Sequence, residues 1–401
     1  MNTDETIRTF ITFFRDRGHQ PIGSSSLVSP PGDPVLFTSA GMHPLTPYLG
    51  GQPHPLGRRL TGVQRCLRTT DLDEVGDYSH LTVFQMLGSW SLGDYDGPQS
   101  QRWGLELLGE VFGLKPELLY ATVFGGDGQV GPDTTAQQTW DELGLPVELL
   151  GPEDNWWSNG PTGPCGPDSE LHVWTGDGSP SGSPSTDDRW LELWNHVTMR
   201  YERHPDGSLT LLRQPSVDTG MGLERLLMVS QHARSVYETD LFAPWRSVLP
   251  SLWQTEPTSS QSLRILTDHL RSAIVIIGDG IRPSNTGRGY VLRRLVRRAL
   301  TALWRGDGGG SLTLRDLPPD LVQHTAGQFG QVIESSQVSD VLVAEESRFR
   351  DLVRRGRTLL ARLYPSGRLT EADYEFLRDT HGLPRELVTE LLNEPDGARA
   401  G

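Results

Sequence analysis

The chain changes its sequence character at about residue 245, and this change constrains the possible folds more than any other feature. Before it, apolar residues occur in short pieces interrupted by Gly, Pro and Asp, as over 60–95, which predicts strands and loops. After it, residues 257–304 and 334–363 carry long helical patterns with many arginines. The sequence therefore predicts an α+β fold, with a mixed domain over 1–245 and a mostly helical domain over 246–401.

Smaller elements are indicated by local patterns. Apolar residues recur at helical spacing over 3–17, which predicts an amphipathic helix capped by Thr3. The other expectations are a helix over 99–114, an exposed loop over 176–188, strands over 189–201 and 208–212, a helix after Gly222 and a flexible stretch at 306–310.

Composition excludes several classes of protein. The longest strong apolar run, 273–277, is far shorter than the roughly 20 residues of a membrane-spanning helix, so we expect no membrane association and a cytoplasmic location. Two cysteines, Cys66 and Cys165, are too few for a disulfide framework in 401 residues. Lys115 is not in a P-loop, and no HExxH motif is present. The net charge of −15 argues against indiscriminate nucleic-acid binding but allows a local basic face.

One candidate site is the segment Gly160–Glu170, in which Gly and Pro alternate with polar residues. This composition favours a rigid loop whose backbone N–H groups approach a ligand closely. Trp156 and Trp157 precede it and are placed to wall a small pocket. The alternative interpretation is a structural turn over a hydrophobic cluster.

A second candidate is Val217–Arg225, where two glycines two residues apart allow a ligand to approach the backbone. Arg225 suits a terminal phosphate because its planar fork donates two hydrogen bonds, and Asp218 suits an ammonium group. The alternative is a glycine-rich turn from strand to helix with solvated charges.

A third candidate combines Gln64–Arg68 with Thr82–Gly88. Alternation around Arg68 predicts a strand that returns as a hairpin through Phe84. An arginine over a phosphate and an aromatic ring against a base form a simple nucleotide site. The alternative is an exposed arginine and a core phenylalanine.

The predicted helices of the second domain carry basic stripes. Four arginines at i, i+1, i+4 and i+5 lie opposite apolar residues, and a later helix has a similar set. In an acidic chain such a concentration indicates a surface for a phosphate backbone, and the alternative is a solvated helix face. The first stripe is Arg293, Arg294, Arg297 and Arg298; the second is Arg348, Arg350, Arg354, Arg355 and Arg357.

Taken together, these segments resemble the alanyl-tRNA synthetase family, in the same order and over nearly the whole chain. The resemblance includes the family's opening, its motifs 1 to 3, its Gly-Pro loop and its tRNA-recognition helix. The matching segments are 13–19, 24–28, 36–42, 64–68, 84–95, 155–170, 193–199, 217–225, 235–242, 268–271, 283–294 and 379–384.

The resemblance implies a class II synthetase fold, an antiparallel sheet with flanking helices followed by a helical tRNA-recognition domain. It implies activation of alanine by ATP with Mg²⁺, then transfer to the acceptor end of alanine tRNA. Arg68 would bind the α-phosphate, Arg225 the γ-phosphate and Asp218 the alanine ammonium, with these three acting in catalysis. The implied ATP residues are Arg68, Phe84, Gly222 and Arg225; the implied alanine residues are Met42, Trp157, Asn195, Val197, Asp218 and Gly220.

The resemblance also implies RNA-binding residues in the second domain. Asn285 and Asp379 match the family positions that read the acceptor-stem G·U pair. The expected further tRNA contacts are Arg288, Arg293, Arg294, Arg297 and Arg298.

Several positions depart from the common family pattern. The loop after Arg68 is shorter and lacks the usual lysine, and Asp168 stands in the Gly-Pro segment. Val83 and Gln85 replace the usual Phe and Glu, and Asp96 with the following Gly replaces Phe-Lys. These departures predict slower alanylation rather than a different fold.

The family's editing domain, with its His/Cys metal site, has no counterpart in these 401 residues, so no zinc is expected. A pocket for alanine rejects glycine by only about 1–3 kcal/mol, which implies mischarging or a separate editing protein. Two other functions stay open: supply of an aminoacyl-tRNA or aminoacyl adenylate to a specialised pathway, and tRNA binding without catalysis.

Overall fold

An open, mostly antiparallel sheet is the largest feature of the computed structural model. The structure describes residues 1–29, 35–158, 160–252, 260–305, 312–365 and 367–393, so the predicted flexible stretch at 306–310 lies outside it. The chain divides into two units, Met1–Ala243 and Pro244–Gly401, and the sheet belongs to the first. The α+β class is confirmed, whereas the functions assigned to 1–245 and 246–401 remain predictions.

The strands of the first unit form one sheet. They are β1 (Gln20–Ile22), β2 (Arg59–Leu67), β3 (Val83–Ser91), β4 (Leu119–Phe124), β5 (Val147–Leu150), β6 (Trp156–Ser158), β7 (Gly163–Trp174), β8 (Trp190–Arg203) and β9 (Leu209–Gly222). Their order is β1-β2-β3-β9-β8-β7-β4-β5, with β6 paired to β7. Among these described strands, the pairs β1–β2 and β4–β5 are parallel and the other pairs are antiparallel.

The first and third helices of this unit cover one face of the sheet. Phe10 and Phe14 of the first helix pack against Trp194 of β8, with ring centroids 5.9 and 6.4 Å away. Ser100 of the third helix lies 2.9 Å from the His196 ring on β8. The helices of this unit are α1 (Thr3–Arg15), α2 (Thr46–Leu49), α3 (Gly97–Glu106), α4 (Thr134–Glu142), α5 (Pro152–Asn155) and α6 (Leu223–Ser230).

Local predictions for the first unit are largely confirmed. The hairpin forms from β2 and β3, with Cys66 opposite Phe84, because alternation fits a strand with two different faces. A loop connects β7 to β8, and α6 follows Gly222. The helix predicted over 99–114 is α3, continued by a π-helical turn at Leu107–Val111.

The predicted cap of the first helix is wrong. Asn2, not Thr3, caps α1: its side-chain oxygen accepts from the Glu5 N–H at 2.9 Å, and Glu5 accepts from the Asn2 N–H at 3.1 Å. This reciprocal pair satisfies two otherwise unpaired helix donors. The Thr3 hydroxyl instead donates to Asp240 at 2.8 Å.

The prediction of a loop over Gly160–Glu170 is also wrong, because β7 begins at Gly163 and runs inside the sheet. A break in register between Cys165 and Asp168 accommodates the prolines of this strand. The added Cβ of any other residue at Gly166 would lie 1.9 Å from the Thr198 carbonyl oxygen, so glycine is required for close strand approach.

The second unit is helical in the part that the structure describes. Residues 266–277 of its second helix are buried throughout, and apolar residues of the following helix, among them Leu292, Leu295 and Val296, are fully buried. None of the described helices is both long and apolar enough to cross a membrane. The helices are α7 (Ala243–Leu252), α8 (Ser260–Gly278), α9 (Gly287–Arg305), α10 (Pro319–Gln328), α11 (Ser335–Leu363), α12 (Glu371–His381) and α13 (Arg385–Asn393).

Candidate active site

A cleft of about 520 Å³ lies on the face of the sheet opposite α1 and α3, where β3, β8 and β9 meet α6. It is lined by residues from four separate segments of the chain. Six of the residues predicted to bind ATP or alanine line it: Arg68, Phe84, Asn195, Gly220, Gly222 and Arg225. The sequence patterns had paired only the two segments of the predicted hairpin, so the structure adds the approach of the segments around Asn195 and Gly220–Arg225.

Arg68 stands at the mouth of the hairpin. Its backbone N–H donates to the Thr82 carbonyl at 3.1 Å, which closes the hairpin next to the strand ends. Its guanidinium lies over the Phe84 ring, 5.3 Å from the centroid, and its Nε donates to the Ser39 carbonyl at 3.3 Å. The ring and the carbonyl hold the cation in place while leaving its terminal nitrogens available to a ligand.

Arg225 lies in the first turn of α6 and contacts Glu192 of β8. Its Nη1 donates to the Glu192 carbonyl oxygen at 2.8 Å and to the Glu192 carboxylate at 3.0 Å. Burial raises the pKa of Glu192, but the charges of Arg225 and Arg68 outweigh it and hold that pKa at about 2. Glu192 is therefore ionised at neutral pH and orients Arg225.

Asp218 shares a face of β9 with the cleft residues Gly220 and Gly222, since alternate residues of a strand point the same way. Its carboxylate accepts from the Trp90 indole N–H at 2.7 Å. Burial raises the pKa of Asp218 to about 7, an effect that the Trp90 hydrogen bond reduces. Among the described residues it has this one donor and no cation.

The other predicted alanine residues form an apolar patch beside Asp218. Met42 and Val197 are buried in one hydrophobic cluster with Trp90, and Trp157 packs against that cluster. Val197 lies directly opposite Asp218 in the sheet. The protein therefore places an apolar surface next to a carboxylate, a combination that suits a ligand with a small apolar group and a positive charge.

Asn195 and Gly220 connect this patch to the cleft. The Asn195 amide donates to Glu192 at 2.6 Å, and its buried carbonyl oxygen has no partner among the described residues. Gly220 leaves room for Met86: a Cβ there would lie 2.6 Å from the Met86 sulfur. The unpaired oxygen is an acceptor available to a ligand.

Comparison with known proteins decides the family. The family model described as tRNA synthetases class II (A) matches residues 5–398. The alanine--tRNA ligase of Treponema pallidum is 40% identical and matches 98% of this chain and 69% of its own length. Those of Rubrobacter xylanophilus and Borrelia hermsii are 40% and 37% identical, and each matches 98% of this chain but 47% and 70% of its own length. The chain is a member of the alanyl-tRNA synthetase family.

Glu192 and His80 of this synthetase cleft were missed by the sequence reasoning. Glu192 orients Arg225, as described above. His80 lines the cleft with its Nδ1 2.6 Å from Asp77 and its Nε2 3.0 Å from Glu74. The hydrogen bond to Asp77 raises the pKa of His80 despite its burial. Single charged residues in alternating strands or polar loops give no sequence signal for such partners.

Two further carboxyl groups lie on the same face of the sheet as the cleft. Asp168 and Glu170 of β7 stand opposite Val197 and Asn195 of β8. Burial and the neighbouring charge of Glu192 raise the pKa of both well above its usual range. Both are therefore harder to ionise than Glu192, whose pKa the two arginines hold low.

In the helical unit of the synthetase, the predicted tRNA residues lie on two helices and the loop before α9. Asn285 is exposed in that loop and accepts from the Arg293 guanidinium. Arg288, Arg294 and Arg298 are half-buried on α9. Asp379 is exposed on α12 and accepts from Arg378 at 2.7 Å.

Part of the basic stripe has a structural role in this unit. Arg297 donates to Glu345 of α11 at 2.9 Å, and the Nε of Arg293 lies 3.1 Å from the same oxygen. Glu345 is fully buried. The alternative interpretation, a uniformly solvated helix face, therefore does not describe this stripe. Among the described residues, no group of three or more His, Cys, Asp or Glu is arranged to hold a metal ion.

Proposed function

We propose that this chain activates alanine with ATP to form alanyl adenylate and pyrophosphate, and then transfers alanine to the 3′ end of alanine tRNA. The observation that carries the proposal is the convergence of Arg68 and Arg225 on one cleft, with Asp218 on the same strand face. Two guanidinium groups and one carboxylate match a triphosphate and an ammonium group in charge.

ATP binds between the two arginines. Arg68 contacts the α-phosphate, and Phe84, already under its guanidinium, packs against the adenine. Arg225 contacts the γ-phosphate through its planar fork, and Gly222 leaves the backbone accessible where α6 begins. When ATP binds, the γ-phosphate takes the place of Glu192 as the partner of Arg225.

Magnesium accompanies ATP and neutralises charge on the phosphates when it is bound. Magnesium in nucleotide sites is held by one or two carboxylates together with phosphate oxygens. Glu192 and Glu224 both line the cleft and offer oxygen ligands of this kind, so the residues fit the ion. These two carboxylates would hold it.

Alanine binds beside Asp218. The alanine ammonium supplies a cationic partner to the buried Asp218 carboxyl, and this partner favours the ionised form of Asp218. The methyl group packs on the apolar patch of Met42, Trp157 and Val197, while Asn195 and Gly220 line the side toward the ATP.

The chemistry needs positioning and charge stabilisation more than proton transfer. The alanine carboxylate is already an anion, so its oxygen attacks the α-phosphorus without a general base, and pyrophosphate leaves. Arg68 stabilises the charge that develops on the phosphoryl oxygens. In the second step the terminal ribose hydroxyl attacks the alanyl carbonyl carbon, the bond from that carbon to the phosphate oxygen breaks, and AMP leaves while the hydroxyl proton passes to the departing phosphate.

The helical unit binds the acceptor stem of tRNA, with residues 246–401 as its recognition domain and 1–245 as the catalytic domain. Asn285 and Asp379 approach base edges, which the wide, shallow groove of an RNA helix exposes. Arg288, Arg294 and Arg298 approach phosphates, so binding weakens as salt is raised. This substrate implies a cytoplasmic enzyme of protein biosynthesis.

Selection of alanine at this cleft is incomplete. One carbon distinguishes alanine from glycine, and an apolar patch rejects the hydroxyl of serine poorly. We therefore infer that removal of misattached amino acids from the tRNA takes place outside this cleft.

The test is charging of an alanine tRNA transcript with labelled alanine and ATP. Alanyl-tRNA formation together with AMP release is expected. Release of AMP without charging would instead favour supply of an adenylate to another pathway, and tRNA binding with neither product would favour a non-catalytic role.

A further inference from the structure

A buried carboxylate lies beneath the helix that carries the basic stripe. Glu345 of α11 is 0% exposed, yet three arginines reach it. The Nε of Arg297 donates to its Oε1 at 2.9 Å, the Nε of Arg293 lies 3.1 Å from the same oxygen, and Arg348 lies 3.6 Å from Oε2. A buried carboxylate is stable only when such partners compensate its lost hydration.

Arg293 connects this carboxylate to the loop before α9. Its Nη1 donates to the side-chain oxygen of Asn285, while its Nε, which makes no hydrogen bond to any described residue, forms an ion pair with Glu345 at 3.1 Å. The Arg293 side chain is 15% exposed, and Asn285 is exposed. One rigid guanidinium therefore spans from a fixed buried anchor to an exposed amide.

This contact selects which end of the Asn285 amide faces outward. The oxygen is occupied by Arg293, and the NH₂ group has no partner among the described residues. An outward NH₂ donates to acceptors, and base edges in the shallow groove of an RNA stem present acceptors.

We propose that Glu345 is a positioning residue for RNA recognition: through Arg293 it fixes the Asn285 amide with its NH₂ group toward an acceptor on the stem. The inference rests on the proposed function, in which this unit binds the acceptor stem. Glu345 itself touches no RNA, since it is buried beneath α9.

The alternative role for Glu345 is structural only, and a neighbouring residue provides the matched control. Glu346 is also buried and carries its own partners: Thr313, the Leu314 N–H at 2.8 Å and Arg350 at 2.7 Å. It has no described contact with Arg293 or Asn285. E346Q therefore removes a buried charge from the same helix without touching the proposed relay, which is the series of contacts from Glu345 through Arg293 to Asn285.

The experiment measures charging of two alanine tRNA transcripts that differ in one acceptor-stem pair, G·U or G·C, with alanine-dependent pyrophosphate exchange measured in parallel. We expect the wild-type chain of 401 residues to prefer the G·U transcript. E345Q and N285A should each lose at least tenfold of this preference, and the double variant should lose no more than N285A. Exchange, which uses no tRNA, should stay within twofold of wild type in E345Q, and E346Q should keep the preference.

R293K is a second test of the inference that does not depend on whether E345Q folds. Lysine keeps the charge beside Glu345, but it has no planar fork to span to Asn285. R293K is therefore expected to lose the preference to the same extent as N285A while retaining the melting temperature of the wild type.

Several outcomes overturn the inference. Retained preference in E345Q or R293K, an equal loss in E346Q, or additive losses in the double variant would each show that no relay exists. Wild-type charging without any preference would do the same. Absence of exchange and charging in the wild type would instead refute the proposed function on which the inference rests.

Discussion

Arginines meet a carboxylate in both units, but the exposure of that carboxylate differs. Glu192 in the cleft is 35% exposed, whereas Glu345 in the helical unit is 0% exposed. Water can solvate Glu192 when Arg225 turns to a phosphate, so the exchange is inexpensive. Arg293 cannot leave Glu345 without stranding a buried charge. An arginine–glutamate pair thus permits ligand exchange in the first unit, whereas a pair of the same type fixes the position of the arginine in the second unit.

The largest expected effect comes from removing Arg68, the cleft arginine that we propose contacts the α-phosphate. R68Q should lower the rate of alanine-dependent pyrophosphate exchange by about 10²–10³-fold, because a preorganised donor to developing charge contributes about 3–4 kcal/mol. Steady-state exchange kinetics measure the loss. R102Q, which removes an exposed arginine of α3 paired with Glu142, is the matched control and should match the wild type.

The comparison sharpens if the two carboxylates are neutralised in parallel. E345Q should lower the free energy of unfolding by about 3 kcal/mol, because two partly buried arginines then lose their shared anion. Urea denaturation of the full chain, followed by far-UV circular dichroism, measures the change. A loss no greater than that of E192Q would contradict the assigned difference between the two sites.

Asp218 predicts a pH dependence of alanine binding. In the proposed function its ionised form holds the alanine ammonium, and burial raises its pKa to about 7. The KM for alanine should therefore rise about tenfold for each pH unit below 7. D218N should raise that KM by roughly 10–100-fold at pH 8 and flatten the profile, since a hydrogen bond to a charged group contributes about 1.5–3 kcal/mol. An unchanged profile in D218N would remove Asp218 from the alanine site.

The smallest expected effect belongs to E192Q. Glu192 orients Arg225 but is partly solvated, so its neutralisation should change the free energy of unfolding by less than about 1 kcal/mol. The KM for ATP should change by less than tenfold, because Arg225 remains available to a phosphate and Glu224 remains to hold magnesium. A loss as large as that of R68Q would mean that Glu192 takes part in the chemistry itself.

The parts of the fold that sequence patterns predicted are those with local periodicity. The hairpin through Phe84, the helix after Gly222 and the long helices of the second unit all follow from spacing within one segment. Strand β7 did not, because its Gly and Pro residues are typical of loops. They are tolerated there through a break in register and the close approach of Thr198 to Gly166.

The candidate site was predictable only as far as family motifs reached. Arg68, Asp218 and Arg225 stand in such motifs, and the cleft and the strand face beside it bring them together. Glu192 and Glu345 stand in no motif, and each is defined by a partner from a distant segment. Pairings of this kind arise from sheet register and helix packing, which a single sequence does not specify.

Alanine-dependent exchange of pyrophosphate into ATP, measured with alanine, glycine and serine, tests the central claim most directly. The account predicts exchange that depends on added amino acid, is fastest with alanine and is lost in R68Q. Absence of exchange with all three amino acids in a folded wild-type protein, or undiminished exchange in R68Q, would contradict it.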